Sequence, residues 1–193
     1  MWLAFAKSFL GDLAGMALFE TGQALQRTGL RAQGMRVVPP FPFHFVGKKS
    51  PFIVTGSDIH PSAVVTGDAT VYAWARVGRG SVLRAESNEI NVGLSAVVGN
   101  NCVITAGNKS VNGLPATVEI GMEAKIGDNC VLESCIVGNR AVVGEGCVVS
   151  EGSIVENDSV LEPGSVVPPL HRIPAHQVWG GVPARFKSEI HKH

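Results

Sequence analysis

The chain predicts a mainly β fold: a left-handed parallel β-helix of hexapeptide repeats, carrying an N-terminal helix and a C-terminal helix. Three observations carry this reading. Aliphatic residues fall on every sixth position from Ile59 to Val167, a track of small residues follows them four positions later, and no ten-residue helical pattern interrupts the stretch.

The beat opens at Ile59, Val65, Val71, Val77 and Leu83, and a nine-residue step leads to Val92, Val98 and Ile104. After the loop TAGNKSVNGLPAT it returns at Ile120, Ile126 and Leu132, and a five-residue step leads to Val137, Val143, Val149, Val155, Leu161 and Val167. The small track includes Ala63, Ala69, Ala75, Ser81, Ala96, Cys102, Ala124, Cys130, Ala141, Cys147, Ser153, Ser159 and Ser165. Amphipathic helices repeat at about 3.6 residues and half-buried strands at about 2, so neither yields a strict six with two coupled tracks. In a hexapeptide β-helix each hexad makes one short strand and one turn, and three hexads close a triangular coil. The aliphatic side chain fills the interior and the small residue tucks into the corner. Glycine after the aliphatic, as in Val77-Gly78 and Val143-Gly144, is expected to serve turns that need positive φ. Seventeen hexads make nearly six coils, a prism roughly 25–30 Å long at ~4.8 Å between strands.

The ends differ in kind. Residues 1–34 read as an apolar helical segment, with Leu3, Phe5, Phe9, Leu13 and Met16 expected on its apolar surface and Asp12 and Glu20 interrupting it. Residues 35–58 read as an extended linker, 59–168 as the prism, and 169–193 as a proline-broken return ending in a short helix. Terminal helices would cover the open strand edges of the prism.

Composition narrows the function. The 193 residues are 45% hydrophobic and 17% charged, enough to bury a core. Sixteen basic residues balance sixteen acidic ones, which argues against nucleic acid as a partner. No run reaches the ~18 apolar residues of a membrane-spanning helix. The first twenty residues carry Lys7 and Asp12 and make a poor secretory signal or transit peptide. The cysteines, Cys102, Cys130, Cys135 and Cys147, form no C-x-x-C pair; three occupy one place in the repeat and read as reduced packing residues, with a disulfide framework or zinc site as the lesser alternative.

The prism with LRAESNEINVG, VVGNNCVITAGN, IGDNCVLES and VWGGVPARF resembles the γ-class carbonic anhydrases over residues 50–188. The leader ETGQALQRTGLRAQG is similar to the γ-carbonic anhydrase and carbonic anhydrase-like subunits of mitochondrial complex I in plants and algae. The resemblance implies trimers of β-helices, with zinc between neighbouring prisms on three histidines, two from one chain and one from the next. That metal would lower the pKa of bound water toward 7 for attack on CO₂.

Carried over to this chain, the three ligand positions hold Thr105, Asp128 and Glu133, and none is histidine. Gly99 and Asn100 stand where active relatives have glutamine and aspartate, and the L-R-G-D motif becomes Leu83-Arg84-Ala85-Glu86. The resemblance therefore implies no catalytic residues, no metal and no cofactor. Asp128 and Glu133 read as solvated or salt-bridged interface residues, and Arg84 with Glu86 as an inter-prism ion pair or an exposed one. None of the six histidines is spaced with another as a metal pair.

The expected role is a non-catalytic structural subunit, trimeric with sibling γ-carbonic anhydrase chains and bound to the complex I membrane arm. Its expected place is the matrix side of the mitochondrial inner membrane. The N-terminal helix would meet the membrane surface or a neighbouring subunit, or pack along its own prism. Two alternatives remain. One is a hexapeptide-repeat enzyme, a residual carbonic anhydrase or an acyltransferase; the latter would need a histidine base facing the cleft between prisms, and the repeat holds only His60. An assembly subunit like those of the dynactin pointed end fits the prism, but the leader does not point there.

Overall fold

The structure is a computed structural model that describes residues 51–107 and 116–190, without the side chains of Glu86 and Ser87. The N-terminal helical segment and its expected membrane contact, most of the linker, and His44, His191 and His193 lie outside the described residues.

The strands in chain order begin with β1 (Phe52–Ile53), β2 (Asp58–Ile59), β3 (Val64–Val71), β4 (Arg76–Val77), β5 (Val82–Val92), β6 (Val97–Val98) and β7 (Val103–Ala106). There follow β8 (Val118–Ile120), β9 (Lys125–Ile126), β10 (Val131–Glu133), β11 (Ile136–Val137), β12 (Val142–Val143) and β13 (Val148–Val149). The last are β14 (Ile154–Val155), β15 (Val160–Leu161), β16 (Val166–Val167), β17 (Arg172–Ile173), β18 (Gln177–Gly180) and β19 (Arg185–Glu189). Every pairing except β18 with β19 is parallel, so the chain winds a parallel β-solenoid of about seven turns.

Three faces result. Face one is an eight-stranded sheet, β2-β4-β6-β9-β12-β15-β18-β19. Faces two and three form one eleven-stranded sheet because β3 and β5 run continuously around the corner between them. Face two stacks the first halves of β3 and β5 with β7, β10, β13 and β16. Face three stacks β1 and their second halves with β8, β11, β14 and β17.

The interior is the predicted aliphatic track. All seventeen hexad residues from Ile59 to Val167 are at most 4% exposed. The array is longer than the hexad count implied. Ile53 packs on the core before it and Ile173 and Trp179 continue it, although Pro168, Pro169 and Pro174 obscure the beat there. At ~25 cal/mol per Å² of apolar surface removed from water, this stack is the main source of stability.

The irregular steps share one corner, that between faces two and three. The nine-residue step lies within β5, where Gly67 pairs with Ala85 but Ala69 pairs with Ile90. The long insertion follows Ala106 at the same corner, and the five-residue step passes through Ser134. Ser134 Oγ accepts the Gly107 N–H at 2.8 Å, and Asn88 Nδ2 donates to the Gly107 carbonyl at 2.5 Å. Length changes are absorbed where no interior aliphatic has to move.

Two expectations need correction. Glycine after the aliphatic does not supply positive φ; that conformation sits two residues later, at Ser95, Asn101, Glu123, Asn129 and Arg140 among others. Gly99 serves close approach instead, since an added Cβ would stand 2.7 Å from the Gly127 backbone in the next coil. The C-terminal helix is likewise not formed, and no helix occurs among the described residues. Residues Arg185–Glu189 instead fold back as β19, antiparallel to β18, after a turn through Gly181 and the cis Val182–Pro183 bond. The strand pairs the otherwise open edge of the last coil, the need a helix was expected to meet.

Candidate functional site

Face two carries two outward ladders that flank its inward-facing residues. Val64, Val82, Val103, Val131, Val148 and Val166 pair in register, each one residue before an interior aliphatic. Val103 and Val131 are 43% and 39% exposed. One residue after the interior aliphatics come Thr66, Arg84, Thr105 and Glu133, also in register. Alternation along each strand forces both ladders to the outside. Thr105 and Glu133 are therefore adjacent, with Arg84 one rung beyond Thr105. Glu86 follows in the same strand as Arg84, but its side chain lies outside the described residues, so the expected pair is not described.

Asp128 stands apart from them, in the turn between faces one and two. Glu133 follows it by five positions, up to ~16 Å of extended chain. Its Oδ1 accepts the Asn100 backbone N–H at 2.7 Å and its Oδ2 the Asn100 Nδ2 at 3.0 Å. Asn100 repeats the motif one coil earlier, its Oδ1 accepting the Arg79 N–H at 2.9 Å. These bonds hold the Asp128 carboxyl below its ordinary pKa, first through the Asn100 N–H and then through its amide. Asp128 is thus a corner tie between coils.

The family's metal would be zinc, and the donors at these positions do not fit it. Zinc sites are built from imidazole and thiolate, sometimes with a carboxylate. Thr105 supplies a hydroxyl, Glu133 a carboxylate, and Asp128 a carboxylate already committed to Asn100. Among the described residues no three His, Cys, Asp or Glu side chains converge on one point.

The described histidines lie elsewhere. His60 Nδ1 bonds Ser62, His171 packs edge-on to Trp179, and His176 Nδ1 stands 4.0 Å from Asp158. All four cysteines are free and buried. Cys102, Cys130 and Cys147 immediately precede paired valines and so stack on successive coils at the corner of faces one and two. Cys135 sits at another corner, where burial pushes its thiol up to about 12.

The valine ladder beside Thr105 and Glu133 was not anticipated from the sequence. The signal was available in every third hexad, as the residue before the aliphatic. On face one the same place holds Asp58, Arg76, Val97 and Lys125, and on face three Phe52, Thr70, Asn91 and Glu119. Only face two is uniformly apolar there.

No family model matches the chain. It is 35% identical over 188 residues to gamma carbonic anhydrase 3, mitochondrial, of Arabidopsis thaliana, covering 91% of this chain and 70% of that protein. Against gamma carbonic anhydrase-like 1, mitochondrial, of the same plant, identity is 40% over 168 residues, covering 87% and 65%. The chain spans about two thirds of the length of these curated relatives. Among solved structures, a hexapeptide transferase family protein from Anaplasma phagocytophilum superposes with a TM-score of 0.70 at 28% identity, covering 78% of this chain and 84% of that one. The solenoid matches the hexapeptide-repeat left-handed β-helix. With that fold and these identities, the chain belongs to the gamma carbonic anhydrase family.

Proposed function

We propose that this chain is a non-catalytic structural subunit that packs through face two with sibling family members in a closed ring of three. In this reading the ring joins the membrane arm of mitochondrial NADH:ubiquinone oxidoreductase on the matrix side of the inner membrane. The observation that carries it is face two itself: an apolar ladder from Val64 to Val166 beside a rung set, Thr105 and Glu133, that offers no imidazole. A flat apolar face of this length gains by being covered, and three such prisms close a ring without an open edge.

Other features support the reading. Both relatives named above are mitochondrial by name. Exposed apolar side chains at Tyr72, Trp74, Leu94 and Met122 line a different edge of the prism, so the ring would retain apolar surface for a larger assembly.

The test is to isolate the chain with whatever accompanies it, count subunits by native mass spectrometry, and measure zinc and CO₂ hydration. The expected result is a three-membered ring within a respiratory assembly, without zinc on this chain's positions and without hydration activity from its homotrimer. One zinc per chain at Thr105, Asp128 and Glu133 would overturn it.

A further inference from the structure

The buried column Cys102, Cys130, Cys147 has no part in the proposed assembly, because it lies inside the prism and on no outer face. All three residues are 0% exposed. Each thiol donates to a carbonyl of the following coil at the same 3.1 Å: Cys102 to Gly127, Cys130 to Gly144 and Cys147 to Glu162. The sulfurs therefore repeat at the coil spacing of ~4.8 Å. Packing alone asks only for a small side chain here. The same column holds Ala63, Ser81 and Ser165, and Ser81 makes the equivalent bond to Gly99 at 2.7 Å. Thiols on consecutive coils add something that alanine and serine do not: paired soft ligands shielded from water.

We propose that this column is a binding site for one soft monovalent cation of the Cu(I) class, held linearly between the sulfurs of two successive coils with Cys130 as the shared ligand. Soft thiolates select such ions. Two metal–sulfur bonds of ~2.3 Å each span about the distance that separates the coils. The thiols meet in pairs along a line, which suits two-coordinate geometry and not the four ligands of zinc.

Binding replaces a proton with the metal: M⁺ and two thiols yield a thiolate–metal–thiol unit and one H⁺ released to solvent. The product is neutral, as a buried site requires.

Because the sulfurs are enclosed, the ion is expected to enter during folding or slow opening of the coils. The full chain would be loaded with Cu(I), both folded and during refolding from denaturant, then challenged with excess bicinchoninate and examined by native mass spectrometry and ultraviolet thiolate-to-metal absorption. The expected result is one retained Cu(I) per chain. Cys130→Ser should bind at least about 100-fold more weakly, while Cys135→Ser and Cys147→Ser should bind as the parent does. Serine already occupies this column, so Cys130→Ser is expected to fold. If it does not, the double variant Cys102→Ser with Cys147→Ser leaves Cys130 alone and must show the same loss. No retained copper in either preparation overturns the proposal. So does equal retention by the parent and Cys130→Ser, which would mean an adventitious ion only.

Discussion

Asp128 and Asn100 lock two successive coils through a pair of bonds, the backbone N–H to Oδ1 at 2.7 Å and the side-chain amide to Oδ2 at 3.0 Å. The position that in active relatives is expected to face the metal here serves the coil stack. On the opposite corner Asn139 and Asn157 tie coils by similar bonds, accepting the Met122 and Asn139 N–H groups. Side-chain oxygens answer backbone donors that turns leave open.

Asp128→Ala should lower the thermal midpoint by roughly 2–4 °C at pH 7, the scale of losing one cap. The folded pKa of Asp128 lies below its ordinary 3.8, so its contribution is complete above that value and disappears as pH falls through the folded pKa. The gap between parent and variant should therefore close as melting curves are taken below about pH 4. Both proteins should still lose stability in acid, because Glu156 is held low in the same sense by the Ala175 N–H and by Arg172.

Gly67 has φ +75°, and an added Cβ would lie 1.8 Å from the Ala85 carbonyl oxygen on the neighbouring strand. Gly67→Ala should cost about 3 kcal/mol or more in denaturant unfolding, since backbone must move. Gly146 has φ +66° but open space around it, so Gly146→Ala should cost only about 1 kcal/mol. Equal losses would show that conformation and not coil contact governs both.

Val103→Asp with Val131→Asp places two carboxylates in the middle of the face-two ladder without touching the interior. The secondary structure by circular dichroism should be unchanged, while the ring dissociates at concentrations about 100-fold or more above the parent's threshold. Analytical ultracentrifugation reads the dissociation. A ring that survives would place the interface on another face.

The substitutions Thr105→His, Asp128→His and Glu133→His restore the ligands that the family resemblance implies. The triple variant, as a homotrimer, should take up about one zinc per chain by elemental analysis, three imidazoles being a sufficient set. It should melt lower than the parent without metal, having lost the Asn100 tie, and recover with zinc. A trimer that stays metal-free would mean that these rungs do not face a neighbouring chain.

Leu132→Ala removes a fully buried side chain from the interior, between Ile104 and Val149 on neighbouring rungs of face two. A loss of about 2–5 kcal/mol is expected from unfolding curves, the coils being too regular to collapse into the void.

From Ile59 to Val167 the sequence by itself determined which residues are interior, because a period of six with a coupled small residue satisfies only a coil closed by three hexads. It also determined the corner column of cysteines and serines, and where chain could be inserted, since the beat breaks only at the nine-residue step, the long loop and the five-residue step. What it did not determine is anything that depends on the neighbouring coil. Gly99 looked like a turn residue until the backbone of Gly127 was placed against it, and nothing near Asp128 in sequence showed that Asn100, one coil before, would bond it. The valines of face two lie seventeen to twenty-eight residues apart in the chain and become one surface only after the insertions are folded out. The closing strand from Arg185 to Glu189 was read as helix because local pattern outweighs an edge that does not yet exist in sequence. Periodicity is a property of one strand and its turn, whereas register, edge and face arise from chain distant in sequence. Only the closed coil brings that chain within ~4.8 Å.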